Sequence, residues 1–176
     1  PLMSVADIAA LPVAHVAHPE GSHLWLWVTN NYLEAGLRVM SEWGFRYITN
    51  IVWGKVKKGK VQKGLGQYIA GSHELVLFGV RGRLAASHKA VKGLGAPRSF
   101  GFEEVDSVML AERTKHSRKP DDVFRRIEQV SPGPRLELFS RESREGWWAV
   151  GHEHGQDIKT WLLCMGAHLA AREGSN

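Results

Sequence analysis

Lys115-His116-Ser117-Arg118-Lys119-Pro120-Asp121-Asp122 is followed, after one helix-length interval, by Leu136-Glu137-Leu138-Phe139-Ser140-Arg141. The first run is a charged loop that opens a helix. Pro120 suits the first helical position, where its missing N–H costs nothing, and Asp121 and Asp122 complement the positive helix end. Val123, Ile127 and Val130 make one apolar stripe over 120–130, and Ser131-Pro132-Gly133-Pro134 stops it. The second run is a short strand over 135–140 that ends in a Glu and an Arg around a Phe. A strand that finishes in polar side chains is how an α/β protein builds a ligand site at the carboxyl edge of its sheet.

Working outward, His23-Leu24-Trp25-Leu26-Trp27-Val28-Thr29 reads as a buried strand. Residues 31–43 carry Leu33, Leu37 and Met40 at helical spacing before Gly44. Strands are expected over 45–53, 73–80, 105–111 and 147–150, with a Gly-rich basic loop over 54–71. A last helix is expected over 157–172, with Ile158, Trp161, Leu162, Met165 and Leu169 at core spacing. The alternation of strands and helices implies a three-layer α/β/α domain with a mostly parallel sheet, and the 45–80 segment reads as an antiparallel hairpin at one edge. The expected division is a main domain over 1–156 and a helical tail over 157–176 that packs on it or on a partner.

With 176 residues and 43% hydrophobic content the chain can build one core. No apolar run reaches the roughly 18 residues that span a bilayer, so no membrane association is expected. The single Cys164 excludes an internal disulfide and points to a reducing, cytoplasmic setting, or a nuclear one in a eukaryotic cell. Cys164 itself is expected as a buried thiol on a helix. The 23 Lys and Arg against 18 Asp and Glu leave a net charge of +5. Lys55, Lys57, Lys58, Lys60 and Lys63 crowd one Gly-containing segment, and Arg81 and Arg83 open a second that continues through Lys89, Lys92 and Arg98. Two such loops suit a phosphate backbone, DNA or RNA, as they also suit plain solvation.

No Walker-type phosphate loop, no GxGxxG after a strand and no Gly-x-Ser-x-Gly elbow is present. His152, His154, Cys164 and His168 follow no structural-zinc spacing, so no metal is expected. What remains is the strand end at Glu137, Phe139 and Arg141. A carboxylate there accepts two ribose hydroxyls, an aromatic covers an adenine or a cationic methyl donor, and an arginine holds a carboxylate bidentately. Those demands describe S-adenosylmethionine; the same spacing also fits a solvent-facing Glu/Arg pair beside a core Phe.

Nine blocks in order carry a resemblance. They are Leu2-Met3-Ser4-Val5-Ala6-Asp7-Ile8; Leu24-Trp25-Leu26-Trp27-Val28-Thr29; Glu42-Trp43-Gly44-Phe45 with Val52-Trp53-Gly54-Lys55; and Gly64-Leu65-Gly66-Gln67-Tyr68. They continue with Ser72-His73-Glu74-Leu75-Val76-Leu77; His116 to Asp121; Gly133 to Arg141; and Gly146-Trp147-Trp148-Ala149-Val150-Gly151-His152-Glu153. This series resembles the MT-A family of S-adenosylmethionine-dependent adenine-N6 methyltransferases, over about Leu2 to Glu153. The resemblance implies a Rossmann-like fold and a methyl-donor pocket lined by Glu137, Phe139 and Arg141 and closed by Glu153. It puts His152 where the family commonly has an Asn against the donor's adenosine. It implies that Ser117 and Lys119 face the joint between donor and target base, and that Glu74 approaches the adenine. It further implies a homodimer or a pairing with a second methyltransferase-like subunit.

The family's Asp-Pro-Pro-Trp, whose aspartate accepts hydrogen bonds from the adenine amino group, stands just before the position of Leu2 and occurs nowhere in this sequence. Three readings follow. The motif lies upstream of Pro1, or the chain binds without transferring, or another chain supplies the strand. Intact donor-pocket residues and an intact Lys119 favour the first.

Overall fold

The computed structural model describes residues 3–18, 20–82, 105–112, 118–131 and 133–173. The chain enters as α1 (Val5–Ala9), capped by Ser4, whose hydroxyl accepts from the Asp7 backbone while the Asp7 carboxylate accepts from the Ser4 N–H. A 3-10 turn at Val13–His15 leads to β1 (Gly21–Thr29), and another at Asn30–Tyr32 leads to α2 (Leu33–Glu42). Then come β2 (Arg46–Lys57), β3 (Lys60–Val61), β4 (His73–Gly82), β5 (Val108–Glu112), α3 (Asp121–Val130), β6 (Arg135–Leu138), β7 (Trp147–Val150) and α4 (Ile158–Glu173). Pro120 is extended, at φ −60 and ψ 138, and serves as the N-cap of α3 rather than its first helical residue.

The expectation of a mostly parallel sheet is corrected. β4 lies between β1 and β2 and is antiparallel to both, β3 pairs antiparallel with β2, and β5 pairs parallel with β2. The main sheet is therefore mixed, and a second sheet holds β6 and β7 in parallel. The β2–β4 pair is central, not an edge hairpin. Apolar periodicity marks a strand without giving its direction, which is set by connections. Here the α2 crossover carries β1 to β2 in the same direction, and the long 62–72 return inserts β4 between them.

β4 explains the layering. Its residues Leu75 to Val80 are all buried, so both faces are covered. Side chains alternate along a strand. Leu75 and Leu77 pack with Leu11, Val28, Val39, Met40, Trp43, Ile158 and Leu162, a core shared by β4 with α2 and α4. Val76 packs on the other face with Ile51, Trp53, Met109, Val123 and Ile127, beneath α3. α4 thus shares the main core through Ile158 and Leu162. Cys164, expected as buried, is exposed on the opposite side of that helix. Among the described residues, no helix is long and apolar enough to cross a membrane.

Leu77 is 0% exposed at the centre of the larger core. Leu77→Ala is expected to lower stability by about 2–5 kcal/mol, whereas Leu65→Ala, at a side chain fully in solvent, should change it by no more than about 0.5 kcal/mol. Urea denaturation midpoints read both.

Candidate functional site

A cavity of about 1160 Å³ lies between the two sheets. Its lining includes the consecutive residues His23, Leu24, Trp25, Leu26 and Trp27 of β1. Neighbours along a strand point to opposite faces, so a cavity that touches all of them runs along the strand's edge. The run Arg135 to Phe139 does the same on β6. β1 is paired on its other side with β4, and β6 with β7. Two strand edges therefore face each other across an opening larger than most small-ligand pockets.

Glu74 stands behind one end of this opening, one residue into β4 and opposite Trp53 of β2 and Thr29 of β1; its partners Trp27 and Lys119 line the cavity and Glu74 itself does not. Its side chain is 13% exposed and fully engaged. Lys55 Nζ lies 2.7 Å from Oε1. Lys119 Nζ lies 3.2 Å from Oε2, and the Trp27 indole N–H donates to the same oxygen. Lys119 Nζ also stands 4.3 Å above the Trp27 ring. Burial alone would raise the Glu74 carboxyl, but the hydrogen bonds from Lys55 and Trp27 and the charge of Lys119 outweigh it and hold the group below its ordinary range. Lys119 is also held low, first by burial and then by repulsion from Lys55 and Arg141, against the pull of Glu74. The two downward shifts have opposite consequences, favouring the Glu74 carboxylate and disfavouring the Lys119 ammonium, because Glu74 faces two cations whereas Lys119 is buried and shares one anion. The cluster carries an excess of positive charge next to the cavity.

The far strand end is built differently. Glu137 is partly buried on β6 and its carboxyl is raised, because burial outweighs a hydrogen bond from Ser140. The Ser140 hydroxyl, 2% exposed, donates to the Glu142 carbonyl at 2.7 Å and stands 3.3 Å from Glu137 Oε2. Glu137 therefore retains acceptor capacity. Phe139 adopts φ 60, a left-handed conformation rare outside glycine, and the residue is 44% exposed. Ser140 N–H donates to Val150 O at 3.1 Å, and a Cβ on Gly151 would stand 2.4 Å from Ser140 O. The strand ends are thereby locked together, with Phe139 turned outward. Arg141 is exposed and lines the cavity with Glu137, Phe139 and Lys119.

His152 and Glu153 lie exposed on a 3-10 turn after β7 and are not in the cavity lining. Ser117 and Arg83, with Lys89, Lys92 and Arg98, fall outside the described residues. Lys57, Lys58, Lys60 and Lys63 are exposed around the β2–β3 turn. Lys55, grouped with them in sequence, instead turns inward. Arg81 donates to Ala14 O at 3.0 Å and ties β4 to the 3-10 turn at 13–15. Sequence reasoning missed Trp27 as a site residue and missed the inward role of Lys55. A signal existed for the second: Ile51 and Trp53 are both buried, and strand alternation places Lys55 on their face. Among the described residues, no group of three or more His, Cys, Asp or Glu is arranged to hold a metal.

The pH dependence of the cluster follows from the sign of the Glu74 shift. Because the folded carboxyl lies below its ordinary 4.5, its stabilising contribution is complete above that value and is lost as pH falls through the lower folded one. Glu74→Gln should be less stable than wild type at neutral pH, with the gap closing as acid is added. Urea midpoints between about pH 7 and pH 3 test this, and a gap that stays constant contradicts it.

A family model described as MT-A70 matches residues 2–153. The N(6)-adenosine-methyltransferase catalytic subunit METTL3 of Homo sapiens is 30% identical over 138 residues, which is 74% of this chain and 21% of that protein. The N(6)-adenosine-methyltransferase MT-A70-like of Arabidopsis thaliana is 28% identical over 139 residues, 74% of this chain and 18% of its own length. The MT-A70-like protein of Drosophila melanogaster is 28% identical over 159 residues, 86% of this chain and 23% of its own. The chain thus spans about a fifth of the length of these curated relatives. The Rossmann-like fold that the family implies is compatible with the α/β architecture and its mixed sheet. As the match runs through the β1 edge, the Glu74–Lys119 cluster and the β6 end alike, the chain belongs to the MT-A70 family.

Proposed function

We propose that this chain carries the methyl-donor pocket and the base-facing wall of an S-adenosylmethionine-dependent adenine-N6 methyltransferase. RNA is the favoured polymer, since the relatives are named for adenosine; DNA is the alternative substrate. The observation that carries the reading is the placement of Lys119 and Trp27, both held by Glu74, and of the Glu137–Phe139–Arg141 strand end around one cavity.

The residues fit the donor. Glu137 keeps acceptor capacity for two ribose hydroxyls, Phe139 presents an exposed ring for the adenine, and Arg141 adds a bidentate cation for the carboxylate. The donor supplies an electrophilic methyl group on a sulfonium. Glu74 and Lys119 then fix the target base beside it, chiefly a positioning effect. The base must leave its stack to reach them. A carboxylate pinned by two lysines and an indole cannot swing, so the Lys119 and Trp27 side chains it holds at the cavity are fixed before binding.

The acceptor for the departing N6 proton is assigned here to the aspartate of the family's Asp-Pro-Pro-Trp strand. The opening between the β1 and β6 edges suits one extended segment, which supports seating that strand there, whether from the same polypeptide or from a paired subunit. This same opening favours a second reading, a methyltransferase-like subunit that binds nucleic acid and supports an active partner.

Calorimetric titration with S-adenosylmethionine tests the pocket. Arg141→Ala and Glu137→Ala should each weaken binding roughly 10- to 100-fold, the loss expected for a charge-assisted hydrogen-bond partner, while Lys119→Ala leaves donor affinity within a few-fold. Unchanged affinity in both strand-end variants contradicts the pocket as assigned.

A further inference from the structure

β2 runs past the sheet into a hairpin with β3. Lys57 stands directly opposite Lys60, and the two residues between them, Lys58 at φ 49 and Gly59 at φ 74, are both left-handed. This is the two-residue turn that matches strand twist, but two of its features are unfavourable. Like charges directly opposite weaken a strand pair, and a lysine is disfavoured at positive φ. Residues 54–71 hold five lysines and no Asp or Glu. With Lys55 held by Glu74, Lys57, Lys58, Lys60 and Lys63 remain exposed as a concentrated cationic tip.

The segment after the hairpin closes on itself. Gly64 N–H donates to Gly71 O at 2.8 Å. A Cβ on Gly66 would fall 1.9 Å from Ile69 O, so backbone packs on backbone there and only glycine fits. The side chains are turned out: Leu65 is wholly exposed, Tyr68 is 99% exposed and Ile69 85%. Three large apolar side chains in water on one short loop mark a contact surface. The loop returns beside the candidate site, because Lys55 N–H donates to Ser72 O at 2.8 Å and Glu74 follows two residues later.

We propose that Tyr68 is a base-stacking residue, and that residues 57–69 form a platform for unpaired nucleic acid flanking the target adenine. The inference rests on the nucleic-acid reading above and adds to it. The charge decides the partner: four exposed lysines outnumber the Glu112 carboxylate, which accepts from the Lys58 backbone N–H at 2.8 Å, so the tip stays cationic and suits phosphates, and an exposed aromatic beside it suits the π-face of any base. A base taken out of its stack leaves its neighbours uncovered. Tyr68 covers one of them, and Leu65 and Ile69 exclude water around it.

Fluorescence anisotropy with a labelled single-stranded, adenine-containing RNA, run over a salt series, tests this. Tyr68 is fully exposed, so its variants fold as wild type does. Tyr68→Ala should weaken binding roughly 5- to 150-fold, the range for one lost base stack, with the salt dependence unchanged. Tyr68→Trp should restore it. Replacing Lys57, Lys58, Lys60 and Lys63 by Ala should instead flatten the plot of log affinity against log salt, by about 3 if each lysine neutralises one phosphate. Wild-type affinity in Tyr68→Ala, when wild type itself binds RNA, overturns the stacking assignment alone. Absence of RNA binding by wild type overturns the underlying reading as well. Loss of self-association in Tyr68→Ala, with RNA affinity intact, assigns the loop to a protein partner and overturns the proposal.

Discussion

One carboxylate organises this molecule. From the start of β4, Glu74 draws its partners from three places in the chain: Trp27 on β1, Lys55 on β2 and Lys119 at the entrance to α3. A buried ion pair gains little net stability, because desolvation offsets most of the attraction. A cluster with two lysines per carboxylate is less favourable still: Lys119 is held low first by burial, and repulsion from Lys55 and Arg141 adds to it. An arrangement that is poor for stability and well placed in a cleft is what a binding or catalytic site requires. The excess positive charge is relieved when an anionic ligand approaches, so binding and local charge are coupled at this point.

The rest of the architecture keeps that cluster in place. β4 is buried on both faces and fixes Glu74 between β1 and β2, while α3 lies over the smaller core through Val123 and Ile127 and brings Lys119 back to the sheet. Ser131, at the far end of α3, ties the helix to β1 by accepting from the Trp25 indole N–H at 2.8 Å, and its hydroxyl also lies 2.8 Å from His23 Nδ1. The β6–β7 pair stands across the cavity, joined internally by the Ser140–Val150 hydrogen bond and the close approach at Gly151. The Glu74 cluster and the Glu137–Phe139–Arg141 strand end thus lie on opposite sides of the opening between the sheets.

Much of this was legible in the sequence. The apolar runs gave β1, β4, β6 and β7 within a few residues, and the Val123–Ile127 stripe gave α3. The ordered motif blocks gave the family, which composition alone does not. Strand direction was not legible, since side-chain alternation is the same in parallel and antiparallel pairs; the mixed sheet became visible only with the register of β4. α1 was overlooked although Ser4 and Asp7 have the spacing of a capping box. Lys55 was grouped with its exposed neighbours because charge runs are read along the chain, whereas the strand pleat sorts them by face. Cys164 was misplaced for a related reason: a helix with apolar residues on much of its circumference does not reveal which side meets the core.

The most direct test is transfer of labelled methyl from S-adenosylmethionine to an adenosine-containing RNA oligonucleotide. The chain would be assayed alone and with a synthetic peptide carrying the family's Asp-Pro-Pro-Trp strand, and the product digested to nucleosides. The account predicts label in N6-methyladenosine when that strand is supplied, and its loss in Glu74→Gln and Lys119→Ala. Donor binding without label on N6 in either condition, or transfer indifferent to Lys119, would contradict it.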